Sequence, residues 1–307
     1  MIIKVGTRGS KLALAQTDWV ISRLSLLFPG LVFEKVIIKT KGDKILDAPL
    51  SKIGGKGLFV REIEETLLKG EIDLAVHSMK DVPSIIPEGL EIACIPERES
   101  PFDVWISNYE HIFALPSNSK IGTSSLRRLS QLKKIRKDLE ILPLRGNVDT
   151  RLRKWKEGQF DGIILAEAGL KRLGIKIDYK RFSIEEIIPA VGQGALGIEV
   201  RKDNKKIKEI LSRIHSKETE VCVKAERAFL KTLEGGCQVP LGAYSWIEDF
   251  KLFIVGFISD LEGERFYRLK EEGSIFEPEK LGKDLAKKLL KAGGEEILKE
   301  IYERGEK

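Results

Sequence analysis

The chain has 307 residues, 42% of them hydrophobic and 33% charged, an ordinary composition for a globular protein with room for two or three cored domains. No apolar run approaches a membrane span, and the charges in the opening "MIIKVGTRGSKLALAQ" leave no place for the core of a signal peptide. Three scattered cysteines exclude a disulfide framework and fit a reducing cytoplasm, and no Cys or His pair has the spacing of metal ligands, so no metal is expected.

The first hundred residues alternate strand and helix patterns. "IIKVG" reads as a strand, and residues 11–28 as a helix with Leu12, Ala15, Trp19 and Leu27 on one side. "LVFEKVIIKT" is a strand, residues 58–69 a helix, and "IDLAV" and "LEIACI" two further strands. The middle third repeats this alternation, with "DVWIS", "KIGTS", a helix at 125–137, "LEILPL", a helix at 148–157, then "GIILA". Such a succession predicts mainly parallel sheets covered on both faces. Pro96 and Pro101 flank one candidate crossing between domains, and "IIPAVGQGALGIEV" (187–200) is a second. From residue 217 a helix leads through Gly235, Gly236 and Cys237 into three strand-like runs. Helical sequence follows, interrupted at Gly293-Gly294, which is the pattern of a small α+β domain.

Charge is unevenly spread. Residues 1–99 and 191–307 balance, whereas residues 100–190 hold 17 basic against 11 acidic groups. A field of one sign predicts an anionic partner, either nucleic acid or a small polycarboxylate or phosphate. The basic stretch "SLRRLSQLKKIRK" has its charges on nearly every side of a helix and no interleaved aromatics, which speaks against nucleic acid.

Several clusters sit where an apolar strand gives way to a helix. They are Arg8 and Ser10 in "GTRGS", Ser124, Ser125, Arg127 and Arg128 in "GTSSLRR", Arg145 in "LRGN", and Arg151 in "VDTRLRK". In open α/β sheets that edge binds ligands, and the planar guanidinium fork matches a carboxylate. The same arginines also fit a solvated surface, the reading that suits Arg153 and Arg181. Asp81 ends another strand, where one carboxylate among cations would stabilise a cationic intermediate or serve a structural ion pair. Cys237 offers either a thioether-forming nucleophile or a small buried hydrophobe. "KVGTRGSKLALAQ" and "KIGTSSLRRLSQ" echo one another, each a strand, a Gly-Thr turn, hydroxyl residues and a helix start.

Seven segments, "TRGSKLALAQ", "GGKGLFVREIE", "DLAVHSMKDVP", "GTSSLRRLSQL", "LRGNVDTRL", "AVGQGALGIE" and "AERAFLKTLEGGCQVPLGAY", occur in an order and spacing that resemble the porphobilinogen deaminase (hydroxymethylbilane synthase) family along essentially the whole chain. The resemblance implies a transferase that deaminates four porphobilinogens, joins them head to tail and releases hydroxymethylbilane by hydrolysis. It implies growth on a dipyrromethane cofactor held by a thioether to Cys237, with Asp81 as the catalytic aspartate. It matches Ser10, Lys80, Thr123, Ser124, Ser125, Arg127, Arg128 and Arg145 to cofactor binding. Arg8, Ser10, Arg145, Arg151, Arg172 and Gln193 match substrate binding. Lys56 and Phe59 fall in a segment that matches a mobile loop.

The same resemblance implies two α/β domains like those of periplasmic binding proteins and a third, small α+β domain bearing the cysteine. The implied bounds are 1–97 plus 196–214, then 100–190, then 216–307. A cytoplasmic monomer is expected, with porphobilinogen as its small-molecule partner and no nucleic acid or membrane. A non-catalytic anion-binding module on the same scaffold would use the arginines but would have no reason for Asp81 or Cys237.

Overall fold

The computed structural model describes residues 1–44, 60–233 and 239–305. Its first sheet holds β1 (Ile2–Thr7), β2 (Val32–Ile37), β3 (Leu74–Ser78) and β4 (Leu90–Cys94), together with β10 (Leu196–Arg201), in the order β2-β1-β3-β10-β4. The second holds β5 (Asp103–Ser107), β6 (Lys120–Gly122), β7 (Glu140–Leu142), β8 (Gly162–Ala166) and β9 (Lys180–Arg181), in the order β7-β6-β8-β5-β9. Both sheets follow one plan. Three neighbouring strands run parallel, and the fourth, β10 or β5, runs antiparallel to both of its neighbours.

Four of the five strands in each sheet therefore point the same way, as the expected mainly parallel arrangement requires, and one runs against them. The reason lies in the connections, because β5 and β10 are the strands by which the chain enters each sheet from the other. Such an entry comes from outside the βαβ series, so the crossover rule that makes neighbours parallel does not apply to it.

Helix α1 (Lys11–Leu27) starts at Ser10, whose hydroxyl accepts the Ala13 N–H, and it buries Gln16, Thr17, Val20 and Leu24. Leu27 is exposed, so the buried stripe is rotated from the one expected around Leu12, Ala15, Trp19 and Leu27. Leu27 is the last residue of the helix. Val20 and Leu24 join Ile3, Val5, Leu74, Val76 and Ile198 in one core, each such side chain contributing about 1.5–3 kcal/mol. After α2 (Lys41–Lys44), helix α3 (Arg61–Leu68) covers the other face with Ile63 and Leu67. Around the second sheet, α4 (Leu126–Ile135) buries Leu132 on one face. On the other, α5 (Val148–Lys156) and α6 (Glu167–Arg172) bury Leu152 and Leu170.

After α7 (Lys205–Ser212), the antiparallel sheet β11 (Leu241–Glu248), β12 (Lys251–Ser259), β13 (Phe266–Ser274) packs one face on α8 (Lys217–Thr232) and α9 (Pro278–Leu289). Its other face carries Tyr244, Trp246, Val255 and Phe257 against Ile188 of the second crossing. The expected break before α10 (Glu295–Gly305) is a kink at Gly293, whose φ of 123° only glycine adopts without strain. Cys94 and Cys222 are buried, and burial pushes both thiols up to about 12. Among the described residues no helix is long and apolar enough to cross a membrane.

Candidate active site

Two βα turns, one in each mixed sheet, share the same construction. β1 runs into Arg8 and the Ser10 cap of α1. β6 runs into Thr123, Ser124 and Ser125, where the Ser125 hydroxyl caps α4 by accepting the Arg128 N–H. This is the structural content of the sequence echo. In the second turn the hydroxyls are committed locally: Thr123 Oγ1 accepts the Ser125 N–H at 3.2 Å, and Ser124 Oγ donates to Leu144 O at 3.0 Å.

A cleft lies between the carboxyl ends of β1 and β3 on one side and of β8 on the other. Its walls bring together Arg8, Ser10, Lys80, Asp81, Arg172 and Gln193. Asp81 closes a single 3-10 turn after β3 and is exposed. Helix α8 fastens that turn from behind, where Arg227 donates to the carbonyls of Val82 at 3.2 Å and Pro83 at 2.6 Å. Arg172 Nη2 donates to Gly194 O at 2.8 Å, tying α6 to the second crossing. At Gly194 φ is +85°, and a Cβ there would lie 2.2 Å from Glu99 O, so the two crossings touch backbone to backbone.

The cations crowd one another. Lys80 reaches water yet is enclosed by the concave wall. That enclosure, with Arg128 and Arg151 nearby, pulls its ammonium pKa down against the opposing pull of Asp81 and Asp103. Burial, together with Arg128 and Arg145, lowers Arg151 to about 10. Burial lowers Arg172 to about 10 as well, with Glu99 opposing. Arg151 Nε donates to Gly146 O at 2.8 Å. A ligand bearing carboxylates relieves this repulsion, so the donor set fits a polycarboxylate and not a metal ion.

Arg127 and Arg128 turn away onto Asp103. Arg127 Nη1 lies 2.7 Å from Oδ2, and Arg128 Nη2 lies 2.7 Å from Oδ1. Arg127 also reaches Ile188 O, and Arg128 reaches Ile164 O. Gln193 completes the knot by donating to Asp103 at 3.1 Å and to Pro101 O at 2.6 Å. Burial alone would raise the Asp103 pKa, but the two guanidiniums hold it well below the carboxylate range. Arg153 is exposed and pairs with Glu157. Arg181 is exposed, as expected at a solvated surface, and also clamps the buried Glu167 with two 2.7 Å hydrogen bonds.

Sequence reasoning does not single out Asp103, Arg98, Glu226, Gln16 or Glu199. Gln16 and His77 line the cleft beside the expected residues, and His77 stands out in the sequence only as part of "DLAVHSMKDVP". Lys56, Phe59 and Cys237 lie outside the described residues.

Comparison with known proteins agrees along the length of the chain. The family model "Porphobilinogen deaminase, dipyromethane cofactor binding domain" matches residues 3–209, and "Porphobilinogen deaminase, C-terminal domain" matches residues 220–291. The porphobilinogen deaminase of Syntrophobacter fumaroxidans is 50% identical over 303 residues, 98% of each chain. That of Carboxydothermus hydrogenoformans is 52% identical over 299 residues, covering 97% of this chain and 96% of the relative. Among solved structures, the methionine binding protein MetQ is similar with a TM-score of 0.44 at 15% identity, covering 71% of this chain and 92% of its own. The chain belongs to the porphobilinogen deaminase family, transferases of porphyrin and haem biosynthesis that work with a dipyrromethane cofactor.

Proposed function

We propose that the cleft between the two mixed sheets is where porphobilinogen is deaminated and condensed, four units head to tail, before hydrolysis releases hydroxymethylbilane. The observation that carries this reading is that Asp81 is the single carboxylate among the described lining residues, on a wall otherwise set with Arg8, Lys80 and Arg172. A substrate with an acetate and a propionate on every ring needs cationic anchors. The loss of ammonia develops positive charge on the ring, and one well-placed carboxylate stabilises it.

The dipyrromethane supplies the primer on which the product is extended, and it carries carboxylates of its own. We assign its attachment to Cys237 through a thioether. Ser10, Lys80, Arg128 and Arg145 would bind its carboxylates, and the Thr123–Ser125 turn would contribute through the start of α4. Arg8, Arg151, Arg172 and Gln193 would position the incoming substrate. Arg127 would act indirectly, by holding Asp103 and Ile188 so that Arg128 stays oriented.

We further divide the chain into domains 1–97 plus 196–214, 100–190 and 216–307. The support is that each of these spans holds the strands of one sheet. We take the protein to act as a cytoplasmic monomer without nucleic acid or membrane. Buried free thiols suit a reducing compartment. The middle-third arginines Arg127, Arg128, Arg136, Arg153 and Arg181 are held in ion pairs and do not form an open basic face.

Intact mass under denaturing conditions tests the assignment. Protein from cells that make porphobilinogen should be heavier than the bare chain by two pyrrole units, and Cys237→Ala should abolish the increment. Asp81→Ala should keep the increment and lose nearly all turnover. A bare mass in the wild type, or near-normal product formation by Asp81→Ala, would remove the corresponding role.

A further inference from the structure

The wall of the cleft that carries Arg172 is built from a very short helix. α6 has six residues, Glu167–Arg172, and its Ala168, Gly169 and Arg172 line the cleft. A helix of that length closes few hydrogen bonds of its own, so its direction is set by what it is fastened to. Its position matters across the cleft as well, because a Cβ at Gly169 would stand 3.9 Å from Leu12 of α1.

The fastening lies on the other side of the helix, where Glu167 and Lys171 stand one turn apart. Glu167 is buried at the first position of α6, and both of its carboxylate oxygens accept hydrogen bonds. Oε2 accepts from the Ser100 hydroxyl and from Arg181 Nε, the latter at 2.7 Å. Oε1 accepts from Arg181 Nη2 at 2.7 Å and from the Tyr179 hydroxyl at 2.9 Å. The backbone is tied at the same place, the Glu167 N–H donating to Phe102 O at 3.0 Å. At the far end of the helix Lys171 Nζ donates to Glu99 Oε1 at 3.0 Å, and Arg172 Nη2 to Gly194 O at 2.8 Å. Gly194 O also accepts the Glu99 N–H at 3.2 Å, so the first crossing, the second crossing and α6 meet at one carbonyl.

We propose that Glu167 is a positioning residue for substrate binding, which clamps α6 to the first crossing and so holds Arg172 in the cleft for a porphobilinogen carboxylate. This role rests on the assignment of Arg172 to the substrate made above.

The chemistry of the clamp suits the task. Burial would raise the Glu167 pKa, but the hydrogen bonds from Arg181, Ser100 and Tyr179 hold it down at about 2, so the carboxylate is ionised at neutral pH. Two parallel bonds from one guanidinium to an ionised acceptor fix direction as well as distance. The donors come from separate parts of the chain, Ser100 from the first crossing and Tyr179 and Arg181 from the end of the second sheet. The Arg181 guanidinium also lies 5.3 Å from the centre of the Phe102 ring, on the first crossing. Among the described residues Gly194 O is the one hydrogen-bond acceptor on the Arg172 guanidinium, which leaves its other nitrogens to a ligand. One such bond does not aim a long side chain, so the helix beneath it has to be fixed.

Steady-state kinetics of the holoenzyme test the proposal. Glu167→Gln keeps the shape and removes the charge. It should raise KM for porphobilinogen about tenfold and change kcat by less than about threefold. In an Arg172→Ala background the same change should have little further effect on KM, because the residue it positions is gone. Tyr179→Phe deletes one donor at an exposed tyrosine and decides the matter if Glu167→Gln does not fold. It should give a smaller rise in KM with the same dependence on Arg172. A wild-type KM in both variants would overturn the positioning role, as would a loss confined to kcat or an equal rise in KM with and without Arg172. If Arg172→Ala itself left KM unchanged, the assignment of Arg172 to the substrate would fall, and the positioning role with it.

Discussion

Arg98 and Glu226 form a two-pronged ion pair, Nη1 to Oε1 at 2.6 Å and Nη2 to Oε2 at 3.1 Å, that binds three parts of the molecule at one point. Arg98 lies on the first crossing, and its Nε donates to Gln193 O on the second at 2.9 Å. Glu226, on α8, accepts from the Gly192 N–H at 2.7 Å and from the backbone and hydroxyl of Ser245 on β11. The guanidinium also lies 5.3 Å from the centre of the Tyr244 ring. The pair therefore sets where the third sheet and α8 stand relative to the cleft.

Breaking this pair from one side leaves a charge buried without its counterion. Arg98→Met and Glu226→Gln should each cost about 3–5 kcal/mol in urea unfolding. The double variant should cost clearly less than the sum of the singles, because the second change removes the stranded charge. Additive losses would mean that the two residues act independently.

The knot on Asp103 carries a pH dependence whose sign follows from its pKa. The folded value is depressed below the unfolded one, so the stabilisation is present above about pH 4 and is lost as the pH falls below it. Asp103→Asn should lower stability at neutral pH by about 3–5 kcal/mol, since two guanidiniums lose their counter-charge. It should also flatten the acid limb of a melting-temperature profile. An acid limb identical to that of the wild type would show that other carboxylates govern acid unfolding.

Arg172 separates binding from chemistry. It lines the cleft and is held by Gly194 O, but nothing places it on the atoms that react. Arg172→Ala should raise KM for porphobilinogen about 10–100-fold, the scale of a lost charge-assisted contact, with a smaller effect on kcat. Arg172→Lys should recover part of the loss, because it keeps the charge without the planar fork. A KM equal to that of the wild type would place the substrate carboxylates elsewhere.

How far the sequence could be read depended on the range of the interaction. The Ser10 and Ser125 caps were legible because a cap is a bond across three residues, and each follows an apolar strand. Asp81 was legible as a strand-end carboxylate for the same reason. The partners of Arg127 and Arg128 were not, since Asp103 lies 24 and 25 residues away and nothing local marks it. Nor were Arg98 with Glu226, 128 residues apart, or His77 with Glu199, 122 apart.

By itself the sequence determined the alternation of strands and helices, the capped turns, the concentration of positive charge in the middle third and, through seven motifs, the family. These depend on backbone propensity, on the period of the apolar residues and on residue order. Only the tertiary structure decided that β5 and β10 run against their neighbours, because each enters its sheet from the other unit. It also decided which arginines face the cleft and which serve a buried aspartate. A guanidinium reads the same in a sequence in either place; burial and the nearest carboxylate make the difference.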